Sequence, residues 1–125
     1  MKILILDDMK HRHSFFKNLY KEHDVTSVFK FNDFCEIILK EKFDIIHLDH
    51  DLGDEVIDPD TYFDSFGYEQ EFTGAHAAMR LGKISKEMRP EKVIIHSINE
   101  SGAKRIFDNL KHFNFEKVFI QPFDK

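Results

Sequence analysis

The stretch Lys2-Ile3-Leu4-Ile5-Leu6-Asp7-Asp8 decides the fold. Four aliphatic side chains follow one another without a polar alternate, so both faces of this segment must be covered. That is how a central strand of a parallel sheet reads. The two carboxylates mark where the chain leaves the core. Three further runs repeat the device. Residues 43–48 end in Asp49-His50-Asp51-Leu52-Gly53, residues 92–95 in His96-Ser97-Ile98-Asn99, and residues 117–120 in Gln121-Pro122. Residues 25–31 form a shorter β-like stretch.

Helical spacing fills the gaps. Phe15, Phe16, Leu19 and Tyr20 make one apolar face, and Phe34, Cys35, Ile37 and Ile38 a second, with Asn32 as its N-cap. Thr73 is placed to cap a helix carrying Ala75, Ala78, Met79 and Gly82 and stopped by Pro90. Asn99 or Ser101 caps another with Ile106, Phe107, Leu110 and Phe113. Strands alternating with helices imply a parallel sheet with right-handed crossovers. The expected fold is α/β and flavodoxin-like, a three-layer sandwich with five parallel strands in the order 2-1-3-4-5. Five residues follow Ile120, so the usual final helix is expected to be missing. The whole of 1–125 reads as one domain with an insertion at 53–72.

Composition narrows the function. Lys and Arg number 18 and Asp and Glu 23, for a net charge of −5. Residues 53–72 hold Asp54, Glu55, Asp58, Asp60, Asp64, Glu69 and Glu71 with no Lys or Arg, so that segment is −7 and the remainder +2. The acidic balance excludes indiscriminate DNA binding. No apolar run approaches the ~20 residues of a membrane span, and charges interrupt the first apolar stretch too early for a secretory signal. The lone Cys35 cannot form an internal disulfide and reads as a small core residue, which fits a reducing cytoplasm. The insertion also carries Tyr62, Phe63, Phe66, Tyr68 and Phe72, a composition suited to a lid, a disordered loop or a protein-binding segment.

Ligands of such sheets bind outside the carboxyl ends of the strands. The strand order brings Asp7 and Asp8, His47 to Asp51, His96 and Ser97, and Gln121 to that one edge. Asp7, Asp8, Asp49 and Asp51 would repel one another there unless a proton or cation intervened. Oxygen ligands suit Mg²⁺ or Mn²⁺, and Zn²⁺ is the poorer match. The alternative for Asp7 and Asp8 is a plain helix-terminus role. His47, His50, His76 and His96 lie near the same edge, where imidazoles can move protons or ligate a metal. His11, His13, His23 and His112 read as surface residues. Ser97 is open to three readings: nucleophile, phosphate-binding hydroxyl, or strand-end residue. Asn99 with Ser101-Gly102, and Thr73-Gly74, open helices whose free N–H groups can receive a phosphate, although capping alone would also explain them.

Leu6-Asp7-Asp8, Asp49, Ser97 and Pro122 resemble a response-regulator receiver domain. In that resemblance the acidic pair and Asp49 hold Mg²⁺, Asp49 accepts a phosphoryl group, and a lysine precedes the final proline. Gln121 stands where that lysine would be. Leu48-Asp49-His50-Asp51-Leu52-Gly53, Thr73-Gly74 and His96-Ser97-x-Asn99-x-x-Gly102-Ala103 are more closely similar to the cyclic-phosphate processing receiver-like domains of phages and bacteria. This resemblance implies a role on cyclic nucleotides or on 2′,3′-cyclic phosphate RNA ends.

The leading expectation is a metal-dependent phosphoesterase that opens a cyclic phosphate. Asp7, Asp8 and Asp49 would hold the metal, with Asp51 as ligand or orienter. His50 and His96 would be base and acid. Ser97, Asn99, Gly102, Thr73, Gly74 and His47 would bind the phosphate. A non-catalytic module that sequesters a nucleotide, or contacts a host protein through 53–72, is the alternative. A phosphoacceptor switch at Asp49 is the third.

Overall fold

The computed structural model describes residues 1–49, 73–97 and 100–121. The strands are β1 (Lys2–Leu6), β2 (Asp24–Val28), β3 (Ile45–Leu48), β4 (Lys92–Ile95) and β5 (Val118–Ile120). The helices are α1 (Lys10–Leu19), α2 (Phe31–Lys40), α3 (Gly74–Lys83) and α4 (Glu100–His112), with a 3₁₀ turn at Lys86–Met88. All strands pair in parallel, in the order β2-β1-β3-β4-β5, as the aliphatic runs imply. The described residues hold four α-helices and none after β5. None of the described helices is long and apolar enough to cross a membrane.

Strand alternation divides the core in two. Leu4, Leu6, Ile46, Leu48, Val93 and Ile95 face α2, α3 and α4, which bring Phe34, Ile38, Ala78, Leu81, Ile106 and Leu110 against them. Ile3, Ile5, Ile45 and Ile94 point the other way and pack on Phe16 of α1. Each fully buried aliphatic side chain contributes roughly 1.5–3 kcal/mol, which makes the central strands the rigid base for whatever their ends carry. Cys35 packs against the larger core, and burial pushes its thiol up to about 11.

Two local expectations need correction. The first turn of α2 begins at Phe31 with Lys30 as the N-cap residue, not Asn32, because burying the Phe31 ring draws the helix start back. The inward stripe of α1 is His13, Phe16 and Tyr20, while Phe15 and Leu19 face solvent. His13 is therefore a buried residue and not a surface one. Its Nε2–H donates to the Asp7 carbonyl at 2.7 Å and its ring lies 4.1 Å from that of Phe29. One satisfied ring nitrogen lets an imidazole sit where hydrophobicity alone would put an apolar side chain. His11, His23 and His112 are exposed as expected.

Candidate metal centre at the carboxyl edge of the sheet

Register builds the site. Leu6 pairs with Leu48, and Leu48 with Ile95, across the three central strands. The next residue in each strand is Asp7, Asp49 and His96. Backbone bonds carry the ladder one step further: Asp49 N–H donates to Leu6 O at 3.1 Å, and His96 N–H to Leu48 O at 3.0 Å. Alternation turns all three side chains toward α1. One ligand atom from each of Asp7, Asp49 and His96 lies within 4.8 Å of the others, all three residues are buried, and the group can hold a metal ion.

Asp7 is fully buried and well supplied with donors. Met9 N–H donates to Oδ1 at 2.8 Å and His96 Nε2 to Oδ2 at 2.7 Å. Burial alone would raise its pKa. The His96 and Met9 hydrogen bonds, with the charges of His96 and Arg12, outweigh that and hold the carboxyl below its ordinary range. Asp8 is half-buried and lies outside the three-residue group; burial and the neighbouring Asp7 charge push its carboxyl up. A cation that sequence reasoning missed sits between the carboxylates. Arg12, in the first turn of α1, brings Nη1 to 3.4 Å from Asp7 Oδ2 and 3.4 Å from Asp49 Oδ2. The available signal was position: Arg12 shares its helix face with Phe16, one turn on.

His47 lies one layer below the group. Its ring packs between Phe16, at 4.7 Å, and His96, at 5.7 Å, and Nε2 meets the Tyr20 hydroxyl at 2.8 Å. Nδ1 has no hydrogen-bond partner among the described residues, so the tautomer protonated on Nε2 leaves no buried N–H unsatisfied. Burial, helped by the charges of His96 and Lys92, lowers the His47 pKa to about 3. The unfolded chain therefore takes up this proton first. Stability is complete above about 6.5 and falls toward about 3, by roughly 1.4 kcal/mol per pH unit. Urea midpoints between pH 7 and 5 should drop less steeply in His47→Leu than in the wild type. Equal slopes would mean that His47 is not the buried neutral group.

Thr73 caps α3: its Oγ1 accepts from Ala75 N–H at 3.2 Å, and His76 Nδ1 accepts from Thr73 N–H at 3.0 Å. Gly74 presses against the site, since a Cβ there would lie 2.1 Å from the Asp49 carbonyl oxygen. Ser97 is buried directly after His96, and Gly102 is buried in the first turn of α4. His50, Asp51 and Asn99, the insertion 53–72 and Pro122 lie outside the described residues.

The model of the cyclic-phosphate processing Receiver domain matches residues 2–112. Solved structures share the fold. The receiver domain (CheY-like) of a Methylobacillus flagellatus response regulator has a TM-score of 0.66 at 14% identity, over 99% of this chain and 88% of that one. The receiver domain of the Francisella response regulator 1452 gives 0.63 at 22%, over 98% and 85%. A Burkholderia pseudomallei response regulator, solved with a phosphorylated aspartic acid, calcium ion and citrate, gives 0.65 at 12% over 98% of this chain. This chain spans 61% of that protein. No curated protein matches the chain.

Proposed function

The chain belongs to the cyclic-phosphate processing Receiver domain family, and we propose that it opens a cyclic phosphate ester with the help of a divalent cation held by Asp7 and Asp49. The observation that carries this reading is the register that places two buried carboxylates and an imidazole side by side. The donor set fits such an ion. Ligand atoms of the two buried carboxylates and of His96 lie within 4.8 Å of one another, close enough to share one ion. Oxygen ligands favour Mg²⁺ or Mn²⁺. A bound cation of this kind polarises a phosphoryl oxygen and lowers the pKa of a coordinated water.

His96 serves Asp7. As a ligand through Nε2 it would carry its proton on Nδ1, which is buried with no hydrogen-bond partner among the described residues. As a donor through Nε2 it fixes the Asp7 carboxylate and leaves no N–H unsatisfied. We assign proton transfer to His50, with Asp51 beside it, on the strength of the sequence. Ser97 and the first turn of α4 at Gly102 receive the phosphate, and Thr73-Gly74 hold α3 against Asp49. In the reaction a water oxygen bonds to phosphorus, one ring P–O bond breaks, and the released oxygen takes a proton. One water is consumed and a monoester results. The substrate class is a cyclic nucleotide or a 2′,3′-cyclic phosphate RNA end.

Incubation with 2′,3′-cyclic nucleotides and cyclic dinucleotides, with Mn²⁺ or with chelator, tests this. Monoester should form with Mn²⁺ only, and not with Asp49→Asn. Turnover of none of these compounds, or equal turnover in chelator, contradicts it. One observation favours a second reading: Asp49 ends the middle strand of a fold shared with a response regulator solved with a phosphorylated aspartic acid. Gln121, at the end of β5, offers no positive charge to a phosphoryl group on Asp49. Acetyl phosphate should therefore leave the intact mass unchanged, and an adduct lost in Asp49→Ala would favour the switch.

A further inference from the structure

We propose that Phe29 is a stacking platform for a nucleobase, which makes the ester opened at this site a nucleoside cyclic phosphate. The inference deepens the cyclic-phosphate reading and rests on it. Register carries the argument. Leu6 pairs with Val28 on one side as it does with Leu48 on the other, and Asp7 N–H donates to the Val28 carbonyl at 3.2 Å. The residue after Val28 is Phe29. It therefore flanks Asp7 as Asp49 does, and the row along the carboxyl edge reads Phe29, Asp7, Asp49, His96. Alternation turns its ring toward α1, where it lies 4.1 Å from the ring of His13.

A single exposed apolar residue needs no explanation on its own. Phe29 differs in how it is held. His13 is buried, and its Nε2–H donates at 2.7 Å to the carbonyl of Asp7, the residue assigned to the cation. The imidazole is thus fixed by the site itself and backs the phenylalanine ring, while 39% of Phe29 stays open to solvent. A ring supported in this way loses little freedom when a flat ligand covers it. Neighbouring strands lie about 4.8 Å apart, so about 10 Å separate Phe29 from Asp49 along the row. With the phosphate at the carboxylates, one ribose carries the base toward the ring. Stacking reads the face of a base and not its edge, so purines and pyrimidines should both be accepted. A cyclic phosphate without a base would leave the ring uncovered.

The test titrates adenosine 3′-monophosphate, with inorganic phosphate as the counterpart lacking a base, by calorimetry at saturating Mn²⁺. Phe29→Leu keeps an apolar side chain against His13 but offers no ring face. It should bind the nucleotide about tenfold more weakly than the wild type, the effect of one base–aromatic stack, and phosphate equally well. A free nucleotide and an RNA end share this base and phosphate. A trinucleotide ending in the same 3′-phosphate separates the two sources by which binds tighter, and Phe29→Leu should weaken both. The chain has no tryptophan, so Phe29→Trp supplies a single emitter at this position. The nucleotide should quench its fluorescence and phosphate should not. Should Phe29→Leu fail to fold, that quenching decides. Nucleotide affinity unchanged in Phe29→Leu overturns the platform, and so does emission of Phe29→Trp that the nucleotide leaves unmoved. A wild type that binds neither compound overturns the cyclic-phosphate reading and this inference with it, whereas binding of both that is indifferent to Phe29 overturns this inference alone.

Discussion

Gly74→Ala is expected to lower stability by about 3 kcal/mol and to weaken metal uptake with it, the upper part of the range for overpacking. The added Cβ would lie 2.1 Å from the Asp49 carbonyl oxygen and 2.7 Å from the Ile106 side chain. A backbone oxygen cannot rotate aside, so α3 must lift away from the end of β3. Alanine's better helix propensity, about 1 kcal/mol, offsets only part of that. Gly82→Ala is the control. There the Cβ meets the ring of Phe113 at 2.2 Å, a partly buried side chain that can turn. Urea unfolding should therefore find Gly82→Ala the milder change, and Mn²⁺ affinity should fall only in Gly74→Ala. A Gly74→Ala protein as stable as the wild type would mean that α3 does not rest on Asp49.

Asp7→Asn is expected to cost about 2 kcal/mol in stability and to abolish metal binding, because a buried donor is left without an acceptor. An asparagine can still accept from Met9 N–H through its oxygen, as Oδ1 does now. Its amide nitrogen then faces His96 Nε2–H, now 2.7 Å from Oδ2, donor against donor. Relief requires His96 to move its proton to Nδ1, which has no partner among the described residues. The wild-type carboxylate stabilises the fold above its ordinary pKa, and that share is lost only as pH falls through the depressed folded value. The destabilisation should thus be complete at pH 7 and shrink in strong acid. A neutral effect at pH 7 would show that relieving the repulsion between Asp7 and Asp49 outweighs the lost hydrogen bond.

The strand order could be read directly because central parallel strands leave no room for polar alternates. Lys2 to Leu6 and Lys92 to Ile95 announce themselves, and the polar residue after each must fall on one edge. Asp7, Asp49 and His96 were legible for that reason. Residues on α1 were not. Its face was read from hydrophobicity, which favours Phe15 and Leu19, whereas the buried stripe contains His13, whose burial depends on a carbonyl five residues after the start of β1. No periodicity reports such a partner. Arg12 escaped for a related reason: its value lies in two carboxylates on different strands, one of them 37 residues away. His47 shows the converse. It sits on the same sheet face as Asp49, two positions earlier, yet the Tyr20 hydroxyl holds its ring nitrogen in the layer beneath.

A direct titration of the protein with Mn²⁺, followed by loss of the free-ion paramagnetic resonance signal, tests the central claim that Asp7 and Asp49 form a cation site. The wild type should remove about one ion per chain, and Asp49→Asn should bind at least tenfold more weakly, since half of the charge that holds the ion is gone. No uptake by the wild type, or equal uptake by Asp49→Asn, would contradict the claim.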